Sequence, residues 1–348
     1  MNFPLSPTAH RVTPRLSLDE CYAVCQRISR RSGSSFIYSF ALLPREQRRA
    51  MYALYAWLRQ VDDMFDDPPR GATSSAIDKL GLVDRQVSTT QSADRLPELP
   101  DFCPKRGTTL SWLVAEQSPL TPPRLADLTG ARDALESALR GENPDPVHRA
   151  LAHTAQCYQI PVEYFLAVLR ATAMDVTGRR YATWDELCEY LHGVAVVVGW
   201  MCLCIWRAHA PAALPSAAAC GRAFQLTNIL RDWHEDALLG RLYLPLEFFT
   251  QAGYDLQGNI TEKAAALRAL LRLGCDRAEQ EFAEARSLLT HLDRPARKMY
   301  SAMHSSYAAI LTKVRQGIAT LRTEPVRLSR WDKLRIAARC WLWDQPHG

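Results

Sequence analysis

The sequence has ten cysteines but no CxxC pair, and it has no Gly-x-Gly-x-x-Gly fingerprint. The closest cysteines, Cys202 and Cys204, form a CxC inside an apolar run, where neither disulfide nor zinc spacing applies. They read as reduced core cysteines of a cytoplasmic protein. Residues 1–15 lack the apolar run of a signal peptide. The longest uncharged apolar run, Gly193 to Trp206, is short for a bilayer span and reads as a buried helix. No run of alternating strands and no fixed-period repeat occurs anywhere in the 348 residues.

What is present suits one ordinary large domain. Hydrophobic residues make up 47% and charged residues 23%, enough to bury a sizeable core. The net charge of +5 favours an anionic substrate or passing contact with an anionic membrane surface, and is too small to imply nucleic acid.

Apolar spacing predicts helices over 18–31, 44–67, 125–140, 145–158, 161–177 and 184–208, then a break over Pro211 to Pro215 with a further helix after it. Two long amphipathic helices, 261–291 and 296–323, follow, so the expected fold is all-α. Residues 68–125 are rich in Pro, Ser, Thr and Gly and read as an insertion or irregular loop. The tail at 328–348 mixes basic residues with Trp331, Trp341 and Trp343, which suits either a membrane surface or packing on the core.

Two of these helices carry unusual polar stripes. In Ala223 to Asp236, read as one helix about four turns long, Gln225, Asn228, Asp232 and Asp236 fall on one face. On the second helix Tyr55, Arg59, Asp62 and Asp66 do the same, with Asp63 and Asp67 beside them. Aspartates at i,i+4 repel each other, a cost that a bound cation reverses. One acidic face alone is ordinarily a solvated surface, and Gln225 and Asn228 alone read equally as buried amides. Two such faces on apolar helices point instead to divalent cations held between them, and an oxygen-only donor set favours Mg²⁺ or Mn²⁺ over zinc. Arg59, Arg231 and Gln225 add donors for a phosphate. Together these groups suit departure of a diphosphate leaving group inside a water-excluding helical cavity.

These residues resemble the squalene/phytoene synthase family of head-to-head prenyltransferases. Gln225 to Asp232, with Glu235, Asp236 and Gly240-Arg-Leu-Tyr-Leu-Pro245, is similar to that family's second aspartate-rich signature. Tyr55 to Asp66 is similar to the first, Tyr190 to Gly199 to its central helix, and Tyr307 to Leu311 to its late tyrosine motif. The resemblance implies an isoprenoid-synthase helical bundle. It further implies that Asp62, Asp66, Asn228, Asp232 and Asp236 hold Mg²⁺. Diphosphate would be bound by Ser32, Gly33, Ser34, Ser35, Tyr55, Arg59, Gln225, Arg231 and Tyr307, with Tyr190 in the cavity. Three departures stand out: the 68–125 segment, Val196 where the family has glycine, and proline at 325 where an arginine is frequent.

Ser32 to Phe40 looks most like the bacterial presqualene-diphosphate synthases, implying condensation of two farnesyl diphosphates. NADPH would enter only if the reaction runs on to squalene. The alternatives are a phytoene synthase using geranylgeranyl diphosphate and a non-catalytic relative serving as a scaffold.

Overall fold

A computed structural model describes residues 16–32, 37–66, 122–175, 179–238, 241–254, 260–322, 324–329 and 331–336. Among these there are helices, turns and loops but no strand, as the periodicity predicts. In chain order the helices are α1 (Leu18–Arg31), α2 (Arg45–Asp66), α3 (Pro122–Leu139), α4 (Pro146–Tyr158), α5 (Val162–Asp175) and α6 (Trp184–Leu191). They continue with α7 (Val197–Trp206), α8 (Ala213–Arg231), α9 (Trp233–Leu238), α10 (Leu246–Gln251), α11 (Ile260–Ala285) and α12 (Arg294–Gly317). Three-ten turns cover Ile37–Leu42, Arg286–His291 and Ile318–Thr320. Most of the 68–125 segment lies outside the described residues, and α3 opens at its end on two prolines, which tolerate a first helical turn.

Local chemistry sets the helix ends. Ser17 and Glu20 form a capping box at α1: Glu20 Oε2 accepts from Ser17 N at 2.7 Å, and Ser17 Oγ accepts from Glu20 N at 3.3 Å. Asp145 caps α4, its Oδ1 accepting from Val147 N and His148 N at 3.0 and 2.9 Å.

Three expectations are corrected. Residues 223–236 are not one helix. α8 stops at Arg231, and Asp232, at φ −101° and ψ 10°, separates it from α9. The Asp232 carboxylate is taken up by Arg231, and aspartate favours a helix end over an interior. The helical path resumes at once, since Asp236 N donates to Asp232 O at 3.0 Å. Pro215 lies inside the first turn of α8 rather than before it, where its missing N–H costs no bond. The predicted continuous helix over 184–208 instead contains a π turn, His192–Val196, between α6 and α7.

That π turn sits in crowded surroundings. A Cβ added at Gly193 would lie 2.3 Å from Ala171 Cβ on α5. One at Gly221 of α8 would lie 2.8 Å from Ala195 O and 2.9 Å from Val196 Cα. Val196 is buried, and Gly221 lets α8 approach the backbone of the π turn closely. The stretch Trp184–Trp206 is long and apolar enough to cross a membrane by length and composition. Met201, Leu203 and Ile205 are nevertheless fully buried, as in a core helix.

Among the described residues, buried side chains form two clusters. One joins α1 to α5 with α7, and the other joins α6, α10 and α11 with the region around Val326 and Leu328. Only α8 and α12 contribute long stretches to both. α8 places Ala213 and Ala217 in the first and Leu226 and Leu230 in the second, and α12 places Met299 and Tyr300 in the first and Ile310 and Leu311 in the second. A buried ion pair fixes α8 against α11. Glu281, 1% exposed, accepts from Arg222 Nε at 2.8 Å and from Arg277 at 2.9 Å. Arg277 also lies 4.2 Å above the Trp184 ring.

Candidate active site

Both polar stripes stand on helices whose opposite faces are buried. On α8, Leu226, Ile229 and Leu230 face the core, which leaves Gln225, Asn228 and Asp232 on the remaining side. Asn228 Nδ2 donates to Gln225 Oε1 at 3.3 Å. Arg231 grips Asp232 with two bonds, Nε to Oδ1 at 2.8 Å and a terminal nitrogen to Oδ2 at 2.5 Å. Burial pulls the Arg231 pKa down, but the Asp232 hydrogen bond and charge outweigh it and hold the pKa above the usual value. On α2, Leu54, Trp57 and Val61 are buried, and the Tyr55 hydroxyl donates to Ser32 Oγ at 3.0 Å. Arg59 pairs with Asp63, at 2.6 Å, on the acidic row beside the stripe.

α2 and α8 are not a packed pair; Tyr307 of α12 lies near residues of both. Its ring lies flat on Phe224, with centroids 4.0 Å apart and planes 6° apart. Burial pushes its hydroxyl up to about 12, opposed by the Arg231 charge and a hydrogen bond with the Asn228 side chain. Tyr55 of α2 lies close enough to raise it as well. Residues far apart in sequence, Tyr55, Asn228, Arg231 and Tyr307, therefore share one neighbourhood. The high pKa keeps Tyr307 protonated at neutral pH, so its O–H can donate to an anion.

The remaining expected residues are placed less uniformly. Asp62 is exposed near the end of α2, and Asp236 is half-buried on α9. Tyr190 is 1% exposed, packed between Tyr181 and Tyr243 with centroids 5.6 and 5.5 Å away. Tyr243 belongs to the Gly240–Pro245 stretch, so the end of the second signature folds back onto the central helix. Gly33, Ser34, Ser35 and the side chain of Asp66 lie outside the described residues. Among the described residues no three His, Cys, Asp or Glu side chains gather into a metal site. The donors Asp62, Asn228, Asp232 and Asp236 are all oxygen ligands, a chemistry that fits Mg²⁺ or Mn²⁺.

Some residues at the site were not singled out from the sequence. Phe224 read only as apolar filling, and flat stacking on Tyr307 leaves no trace in helical periodicity. Arg322 lies on an irregular stretch, yet it lines a small cleft with Arg231, Trp233, Val314 and Val326. It is a second guanidinium near the end of α8, a few residues before the proline that departs from the resembled pattern.

The profile of the squalene/phytoene synthase family matches residues 29–332. A phytoene synthase of Mycobacterium bovis is 28% identical over 325 residues, covering 92% of this chain and 90% of that protein. Among solved structures, a dehydrosqualene synthase superposes with a TM-score of 0.66 at 22% identity, covering 94% of this chain and 97% of its own. The squalene synthase HpnC of Alicyclobacillus acidocaldarius superposes with a TM-score of 0.65 at 24% identity, covering 89% and 97%. These structural likenesses establish the terpenoid-synthase type of helical fold. With the family profile spanning most of its length, the chain belongs to the squalene/phytoene synthase family of prenyltransferases.

Proposed function

We propose that this prenyltransferase condenses two farnesyl diphosphates head to head into presqualene diphosphate. The observation that carries the proposal is the meeting of α2, α8 and α12 around Tyr307, which puts phenol, amide and guanidinium donors in one place between two acidic helices. Farnesyl, rather than a longer chain, rests on the Ser32 to Phe40 stretch.

Gln225, Arg231, Tyr55 and the neutral Tyr307 hydroxyl receive the diphosphate, with Arg59 and Arg322 as further cations. Asp62, Asp66, Asn228, Asp232 and Asp236 hold Mg²⁺, which when bound offsets charge on the departing diphosphate. Arg231 must share its guanidinium between Asp232 and the leaving group, so it both orders that carboxylate and neutralises diphosphate charge. Phe224 and the buried aromatic rings around Tyr190 keep water from the carbocation that ionisation leaves behind. C1 of the ionised chain then adds across the C2=C3 double bond of the second chain, and loss of a proton closes the cyclopropane ring, which keeps the second chain's diphosphate.

The phytoene synthase names of its relatives favour a second reading, in which two geranylgeranyl diphosphates react instead. Purified protein with Mg²⁺ and labelled farnesyl or geranylgeranyl diphosphate, with and without NADPH, separates the two. Presqualene diphosphate from the C15 substrate without NADPH is the expected result, and turnover of the C20 substrate alone would select the second. Asp62→Ala and Asp232→Ala should abolish turnover at unchanged helicity. An enzyme inert toward both substrates would leave the scaffold alternative standing.

A further inference from the structure

Single exposed hydrophobic side chains are common and mean little, but here large ones are held in place beside cations. Trp331 and Leu334 are 73% and 59% exposed on the helical turn at 331–336, and Tyr38, on the turn Ile37–Leu42, is 72% exposed. The two turns meet, since Lys333 Nζ lies 5.4 Å from the centre of the Tyr38 ring. The orientation is fixed from behind. Asp332 Oδ2 accepts from Lys313 Nζ of α12 at 2.6 Å and from Ser329 N and Oγ at 2.8 and 2.7 Å. Ile336, one helical turn on, packs against the second core cluster. With 332 and 336 anchored inward, helical spacing turns Trp331, Leu334 and Arg335 outward.

We propose that residues 37–42 and 331–336 form a docking face for an anionic phospholipid bilayer. Charge complementarity selects this occupant. Residues 327–336 carry Arg327, Arg330, Lys333 and Arg335 against a single acid, Asp332, whose charge is already met by Lys313. Trp and Tyr with Lys and Arg at their margin are the composition that settles at headgroup depth. A protein partner fits less well, because protein interfaces are depleted of lysine relative to the rest of the surface. The inner side of the same turn carries Phe40 against Tyr52 and Tyr55, at 5.3 and 6.5 Å, so the bilayer would lie close to the candidate site. Binding itself does not depend on the reaction proposed above.

The test is co-sedimentation of the full-length protein, without substrate, with phosphatidylcholine vesicles and with vesicles containing phosphatidylglycerol as well. The protein should pellet with the anionic vesicles and be released by salt, each exposed cation contributing roughly five-fold in partition. Tyr38→Ser combined with Trp331→Ser should weaken binding by about ten-fold or more, and Lys333→Glu should remove the preference for phosphatidylglycerol, both at unchanged helicity. Failure of the wild-type chain to pellet with either vesicle overturns the proposal. So does equal pelleting of variants and wild type, or a dimer in solution that the double variant splits while vesicles are ignored.

Discussion

At Tyr307 the hydroxyl and the ring do separable work. The ring is fixed by the stack on Phe224, and the hydroxyl meets Asn228 beside Arg231. Tyr307→Phe preserves the stack and removes only the donor. We expect kcat/KM with the prenyl diphosphate to fall by roughly 10- to 100-fold, about 1.4–3 kcal/mol, with the melting temperature little changed. Steady-state kinetics beside a thermal melt would check this, and an unchanged kcat/KM would remove Tyr307 from diphosphate binding. The polar stripe was legible in the sequence because helical spacing repeats every turn, and it set Gln225 and Asn228 on the side of α8 away from Leu226 and Leu230. The Arg231–Asp232 grip was not, since adjacent residues on an ideal helix diverge and these meet only where the helix ends. Asp63 as the partner of Arg59 was visible only as one of two aspartate rows, and spacing alone does not choose between Asp62, at three residues, and Asp63, at four.

At the scale of elements, the π turn between α6 and α7 and the glycine opposite it form one crossing. Gly221→Ala would drive a methyl group to within 3 Å of backbone atoms of Ala195 and Val196, which cannot rotate away. The expected cost is about 1–3 kcal/mol, read as a lower denaturation midpoint at unchanged slope. The same crossing carries a titrating group. Burial, aided by Arg222, lowers the pKa of His192 at the start of the π turn, and burial also lowers that of His304 on α12. The unfolded chain binds these protons near pH 6.5 and the folded chain only at lower pH, so stability is lost as pH falls below about 6.5. Melting temperatures across mildly acidic pH should show this fall, and His304→Gln should make it shallower. Helix existence and most boundaries followed from apolar spacing, as the starts of α1 and α4 illustrate, while the capping by Asp145 came only with the structure. The π turn was hidden because an extra residue in one turn leaves an apolar run looking unbroken.

Across the whole molecule, the all-α class followed from composition and periodicity, and the two stripes paired α2 with α8, but the place of α12 beside them was not readable from either. It depends on which helices pack, and α2 and α8 are not themselves a packed pair although Tyr307 lies near residues of both. The prenyl chain length stays hidden for a related reason, because cavity depth is a property of several helices together. Two buried clusters would ordinarily invite division of the chain into two pieces. Here α8 and α12 run through both, and the Arg222–Glu281–Arg277 contact lies between α8 and α11. Any cut in the chain that isolates one cluster strips the other of two of its walls. The halves therefore cannot be exchanged between relatives as modules: a chimera inherits a working interior only if α8 and α12 come from the same parent.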